Sequence, residues 1–309
     1  MTKLAFLYPG QASQYVGMGK DLYEKFPAAK EIFQQADEIL NLNLSSTCFE
    51  GPEEKLKQTE ITQPAIFLHS YIVTQLLKEK NIVPAAAAGH SLGEYSALVA
   101  AGALSFEDGL KAVRRRGELM QRAGENQPGT MAAIIGLSGD DVVQICELAS
   151  SAGIVQPANF NSANQIVISG TVQGVKKAME LAQEKGAGKV VPLVVSGAFH
   201  SPLMESAQQE LGEVLNGIKK QSAQFPVYAN VTAKPVTEAE EIKELLFKQV
   251  TYPVLWFNTI QNMIEDGIKE FYEVGPGKVL SGLLKRINRK IPVKALGTVE
   301  DIVNIKQTG

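Results

Sequence analysis

With 309 residues, 45% of them hydrophobic, the chain is long enough for one large or two ordinary domains and apolar enough to fill a core. Its 30 Lys and Arg against 33 Asp and Glu give a net charge of −3, which excludes a general attraction to nucleic acid or membranes, so an acidic partner must be met by a local patch. The two cysteines, Cys48 and Cys146, build no disulfide framework and lack the close Cys or His spacing of a zinc site.

Residues 3–8 predict a buried strand that stops at Pro9-Gly10, and the spacing of Ile32, Phe33, Ala36, Ile39 and Leu40 predicts a helix over 28–40. That early break at Pro9 leaves no room for a signal-peptide core, no run of about eighteen uncharged apolar residues follows, and the chain reads as cytoplasmic. A second helix is predicted over 64–77, with Pro64 in its first turn. A strand to Gly89, a helix from Tyr95 and a helix over 106–122 come next. Beyond Gln127-Pro128-Gly129 the units shorten: strand 131–135, helix 140–150, strands 154–159 and 165–169, helix 172–185 and strand 189–194. This β-α-β-β-α-β order predicts a small split-βαβ insertion of ferredoxin-like type. Larger elements then return: helix 202–215, strand 227–230, helices from Glu238 and Trp256, strand 270–274, helix 279–289, strand 293–296 and the short tail Thr308-Gly309. Strands alternating with helices imply an α/β fold, α/β-hydrolase-like, with a mostly parallel sheet whose working edge lies at the strand carboxyl ends. The expected division is a large catalytic domain, 1–127 and 195–309, and a small subdomain, 128–194.

One pentapeptide stands at such a strand end. Gly89-His90-Ser91-Leu92-Gly93 follows the apolar run Val83 to Ala88 and leads into a helix, the setting in which G-x-S-x-G forms a tight turn that holds a serine hydroxyl clear of the backbone. A side chain at position 89 or 93 would keep that turn from closing. The competing reading is an unreactive serine at a helix N-cap.

A serine hydroxyl needs a general base. Three histidines are present. His69 lies in the 64–77 helix as a packed or surface residue, and His90 adjoins the serine in a turn where neighbours point apart. His200, in Val195-Ser196-Gly197-Ala198-Phe199-His200-Ser201-Pro202 between a strand and a helix, is the candidate base. No acid to orient it is evident, because Asp108, Asp140 and Asp141 fall at helix starts where capping accounts for them; a backbone or amide carbonyl is the alternative. In Arg114-Arg115-Arg116, successive helical positions fan out by about 100°, so either one guanidinium turns inward and requires a carboxylate partner, or the run is a solvated basic face.

Taken together, Pro9-Gly10-Gln11-Ala12-Ser13-Gln14, Gly89-His90-Ser91-Leu92-Gly93-Glu94, Arg116, Asn159-Phe160-Asn161-Ser162, Gly197-Ala198-Phe199-His200-Ser201, Gln249 before Tyr252-Pro253-Val254, and Gly275-Pro276-Gly277-Lys278-Val279-Leu280 are similar to the malonyl-CoA:acyl-carrier-protein transacylases over nearly the whole chain. The resemblance implies a ping-pong acyl transfer with Ser91 as nucleophile, His200 as base and then acid, and the Gln249 main-chain carbonyl orienting the imidazole. It further implies an oxyanion hole from the backbone N–H groups of Gln11 and Leu92, Arg116 as the clamp on the free malonyl carboxylate, and Gln63 and Phe199 beside the substrate. Malonyl-CoA and a phosphopantetheinylated acyl carrier protein are the implied partners; no cofactor or metal is expected, and the chain is read as a monomer without nucleic-acid or membrane partners. Where the family usually carries a glycine this chain has Ala12, a change of little cost if φ there is negative. For an acidic carrier the basic docking patch would be Lys285, Arg286, Arg289 and Lys290, which equally read as a solvated helix end. A serine thioesterase or esterase that passes the acyl group to water is the rival enzyme, and a non-catalytic carrier-docking module the rival of another class.

Overall fold

The computed structural model describes residues 3–219 and 221–305, so the Thr308-Gly309 tail lies outside the described residues. Its strands are β1 (Leu4–Tyr8), β2 (Ala86–Gly89), β3 (Gly129–Ile135), β4 (Val155–Ser162), β5 (Gln165–Thr171), β6 (Lys189–Leu193), β7 (Val227–Tyr228), β8 (Pro235–Val236), β9 (Glu270–Val274) and β10 (Val293–Leu296). They form two sheets. The first, ordered β10-β9-β1-β2-β7-β8, is parallel except for the β7–β8 pair. Every residue of β1 is buried, as the interior of a parallel sheet requires. Alternate β1 residues face different layers: Phe6 and Tyr8 pack with the helices Thr59–Glu79 and Phe106–Asn126, while Ala5 and Leu7 pack with Trp256–Glu265 and Val279–Ile287.

Pairing of Tyr8 with Gly89 brings β1 and β2 to an end at the same edge. The Pro9–Ser13 loop and the G-x-S-x-G turn therefore leave the sheet side by side, which is what positions the site.

The second sheet, ordered β4-β5-β3-β6, is antiparallel and closes over the helices Gly139–Ala149 and Val172–Glu184 around Ile134, Val142, Ile145, Ile166, Ile168 and Val175. It touches the first sheet's region through β4, where Asn159 bridges to Val254.

Three expectations need correction. The helix predicted from Pro64 starts at Thr59, so Pro64 lies inside it, and the Glu60 carbonyl that loses its partner to the proline accepts a hydrogen bond from Arg114 Nη1 at 2.8 Å. The strand predicted over 227–230 ends at Tyr228, which frees Asn230 for another role. The helix predicted from Pro202 is a 3-10 turn, Pro202–Met204, followed by the helix Glu205–Gly217. The helices Lys20–Lys25, Leu44–Glu50, Glu53–Leu56 and Val299–Asn304 and the strand β8 had no sequence counterpart, being too short for an apolar period to register. Among the described residues no helix is long and apolar enough to cross a membrane.

Candidate active site

Ser91 sits at φ 52°, the left-handed conformation of a strained turn, with its backbone N–H bound to Asn230 Oδ1 at 2.7 Å. Both flanking glycines are sterically required. A Cβ at Gly89 would lie 1.9 Å from the Gly93 carbonyl, and one at Gly93 would lie 2.2 Å from the Tyr8 oxygen. The neighbouring loop is equally close, since a Cβ at Gly10 would stand 2.6 Å from the His90 oxygen. Within it, the N–H of Gln11, like that of Leu92 in the turn, has no acceptor among the described residues. Two backbone donors thus lack an acceptor, one in the serine's own turn and one in the loop packed against it.

His200 also adopts a left-handed φ, 56°, held by Gln156 Nε2 on its carbonyl at 2.9 Å and by the Ser201 hydroxyl on the Ala198 carbonyl at 2.6 Å. Its Nε2 lies 2.9 Å from Ser91 Oγ. On the other side of the ring, Nδ1 faces two carbonyl oxygens, Gln249 at 2.8 Å and Tyr252 at 3.1 Å. Two acceptors at Nδ1 place the proton there and leave Nε2 as the acceptor of the serine proton. Burial, and next the Arg116 cation, push the imidazole down to about 3, against the opposing pull of those carbonyls, so His200 is neutral and base-competent near neutral pH. Asp108 and Asp141 are engaged at helix N-caps with Ser105 and Ser138.

Of the three consecutive arginines, Arg116 is the one turned inward, 1% exposed. Arg114 pairs with Glu60 and Glu118, and Arg115 with Glu118 and Glu210. Among the described residues Arg116 meets no carboxylate directly: Nη1 donates to Gln63 Oε1 at 2.8 Å, and Nη2 donates to Ser91 Oγ at 3.0 Å and Gln249 Oε1 at 2.9 Å. Its guanidinium carbon lies 5.8 Å from the Tyr95 ring centroid. Neutral amide oxygens hold a buried fork that a carboxylate would fit better, through two charge-assisted bonds. Phe199 is buried. Lys285, Arg286, Arg289 and Lys290 are all exposed, with Arg286 bound to Gln165 of β5.

The structure adds residues that sequence reasoning had assigned no role. Asn230 staples the turn, donating through Nδ2 to the Gly89 carbonyl at 2.7 Å while its Oδ1 holds the Ser91 N–H. Beyond its carbonyl, Gln249 uses its side-chain Nε2 on the Ser91 carbonyl at 3.0 Å and on Glu94 at 2.8 Å. Asn161 of β4 meets His90 Nε2 at 2.9 Å. Glu94 had a local signal, a lone carboxylate heading the uncharged run Tyr95–Ala101, while Asn161 and Gln249 stood out only as members of the quoted motifs. Asn230 had none, since it stood as the last residue of a strand predicted over 227–230, and a polar residue at a strand end is ordinary composition.

Ala12 departs from the favourable case: its φ is 81°, in the left-handed region. An L side chain there costs about 1–2 kcal/mol, partly offset by the greater freedom glycine gains in the unfolded chain. Ala12→Gly is expected to stabilise the protein by about 1 kcal/mol, measured as a shift in urea midpoint at constant slope.

Residues 5–303 match the acyl transferase domain family. The chain is 49% identical over 309 residues to the malonyl CoA-acyl carrier protein transacylase of Bacillus subtilis (strain 168), covering 100% of this chain and 98% of that relative. Among solved structures it is similar to the malonyl CoA-acyl carrier protein transacylase of Coxiella burnetii, with TM-score 0.94, 41% identity and coverage of 98% of this chain and 96% of the other. It is also similar to a malonyl-transacylase solved in complex with a type II PKS acyl-carrier protein, with TM-score 0.95, 39% identity and coverage of 98% of both chains.

Proposed function

The chain belongs to the acyl transferase family, and from that premise we propose that it carries a malonyl group from coenzyme A to the pantetheine thiol of an acyl carrier protein through a malonyl ester on Ser91. The observation that carries this reading is the joint geometry of one hydroxyl: Ser91 Oγ stands 2.9 Å from His200 Nε2 and 3.0 Å from Arg116 Nη2. Base and cation thus converge on the same oxygen.

In the first half-reaction His200 Nε2 takes the Ser91 proton as Oγ attacks the thioester carbonyl. Negative charge develops on the carbonyl oxygen, where the free N–H groups of Gln11 and Leu92 are the donors, an arrangement typically worth about 10²–10³ in rate. Collapse expels the coenzyme A thiolate, which His200 protonates. The second half-reaction mirrors the first: His200 takes the proton of the carrier's thiol, the sulfur attacks the ester, and the proton returns to Ser91 Oγ. The Gln249 and Tyr252 carbonyls keep the ring in one tautomer throughout.

Arg116 selects the cargo. A malonyl carboxylate replaces neutral amide oxygens on the buried fork, whereas an acetyl group leaves the cation with those amides alone. Gln63 and Phe199 line the same pocket in this reading, and the segment 128–194 is an inserted ferredoxin-like subdomain that brings Asn161 to the turn.

Incubation with malonyl-CoA is expected to leave one malonyl adduct on Ser91, read by mass spectrometry of the intact chain and its peptides. Carrier protein should clear it far faster than buffer does, and Ser91→Ala should form none. Rapid loss in buffer alone would favour a hydrolase; no adduct in the unaltered chain would leave a non-catalytic module.

A further inference from the structure

Glu94 takes no part in the steps above, yet it lies at their centre. Its carboxylate is 2% exposed, and Oε2 accepts the Asn230 backbone N–H at 3.0 Å and Gln249 Nε2 at 2.8 Å. The Gln249 amide meets Arg116 Nη2 with its oxygen at 2.9 Å. Cation and anion are therefore joined through a single amide. The other buried carboxylate among the described residues, Glu273, is occupied with the N–H groups of Leu280 and Ser281 at a helix start. A buried guanidinium is tolerable when an anion compensates it, and in the empty site that anion is Glu94. A docked acyl carboxylate sets two anions against one cation, a condition that favours protonation of one of them.

We propose that Glu94 is the counter-charge of Arg116 in the empty site and takes up one proton from solvent when an acyl carboxylate docks on that arginine. The inference rests on the reading of Arg116 as the carboxylate clamp. Glu94 is a positioning residue, since it acts through Gln249 and Arg116 rather than on the reacting atoms.

Burial raises the Glu94 carboxyl to about 7 even against the lowering influence of Gln249, Asn230 and Arg116, so a second anion has little further to push it. Arg116 is the charged side chain acting on it. Among the described residues, titratable groups on the elements packed against its helix include Tyr95, next to it in sequence; Tyr8 of β1, bound to Thr74; Tyr228 of β7, bound to Asp266; His69 and Lys78 of the helix Thr59–Glu79, the latter donating to the Ala100 carbonyl; Arg114 and Arg115 of the helix Phe106–Asn126, paired with Glu60, Glu118 and Glu210; and His90 and His200 beside Ser91. The sign follows. Below about pH 7 the empty site already carries the proton, and above it each docked carboxylate must draw one in, so affinity falls by up to about tenfold per pH unit.

The test uses the full chain with Ser91→Ala, which binds thioesters without acylation, titrated calorimetrically at pH 8 in two buffers of different ionisation enthalpy. Malonyl-CoA is expected to bring an uptake approaching one proton per site and acetyl-CoA almost none. Adding Glu94→Gln should abolish the uptake and tighten malonyl-CoA at pH 8 by about tenfold. Malonyl-selective binding without proton uptake would overturn the inference while leaving the Arg116 reading intact, and so would uptake unchanged by Glu94→Gln, which would move the proton to His90 or His200. Equal binding of the two thioesters would remove both readings. If the Glu94→Gln chain does not fold, the difference in uptake between the thioesters must rise from about pH 6 to about pH 8, and a flat profile overturns the proposal.

Discussion

His200→Ala is expected to lower malonyl transfer to carrier protein by about three to four orders of magnitude, at the upper end of what a positioned acid and base contributes. The reason is specific to this geometry. Among the described residues, His200 Nε2 is the basic atom bonded to Ser91 Oγ; the other partner of that oxygen, Arg116 Nη2, only donates. Without the imidazole the hydroxyl keeps its proton and faces a cation. The substitution leaves the backbone donors of Gln11 and Leu92 untouched, so residual transfer above the uncatalysed rate should remain. Transfer assayed with saturating malonyl-CoA, alongside a far-ultraviolet spectrum to verify the fold, provides the measurement. A loss of less than tenfold in a folded variant would assign the proton transfer elsewhere.

Arg116→Ala separates two substrates. Malonyl transfer is expected to fall by about 10²–10³, the range for removing one member of a buried charge pair. Acetyl transfer is expected to hold or rise. Arg116 is the second cause, after burial, that depresses the His200 imidazole, so removing the cation raises the base strength of His200 for a substrate that never used the guanidinium. On the proposed reading a docked malonyl carboxylate offsets the same cation in the unaltered protein, so part of the preference for malonyl is expected in kcat and not only in binding. Steady-state kinetics with both thioesters decides the matter, and an equal fall for both would remove the arginine from selection. The variant also strips Glu94 of its counter-charge, which predicts lower stability for Arg116→Ala alone than for Arg116→Ala combined with Glu94→Gln.

Much of this site is legible in the sequence. G-x-S-x-G between a strand and a helix has one steric solution, and the contacts at Gly89 and Gly93 are that solution. His200 was reachable by elimination among three histidines and by its place between a strand and a helix. The inward arginine was less accessible, because spacing says that three neighbours diverge but not which one the core receives. Helix boundaries shifted where a partner distant in sequence intervened, as when Arg114 took the carbonyl that Pro64 released and the helix continued through the proline.

What the amino-acid order determined alone is everything that a few adjacent residues settle by sterics and periodicity: the alternation of strands and helices, the buried run of β1, the turn at Ser91 and the helix starts around Asp108 and Asp141. Tertiary structure decided which groups answer that turn. Asn230 meets it from 139 residues away and Gln249 from 158, and Ala12 is held at φ 81° in a loop packed against the turn. A hydrogen bond between such distant groups depends on how sheet edges and loops come to lie side by side, and no local pattern encodes that proximity.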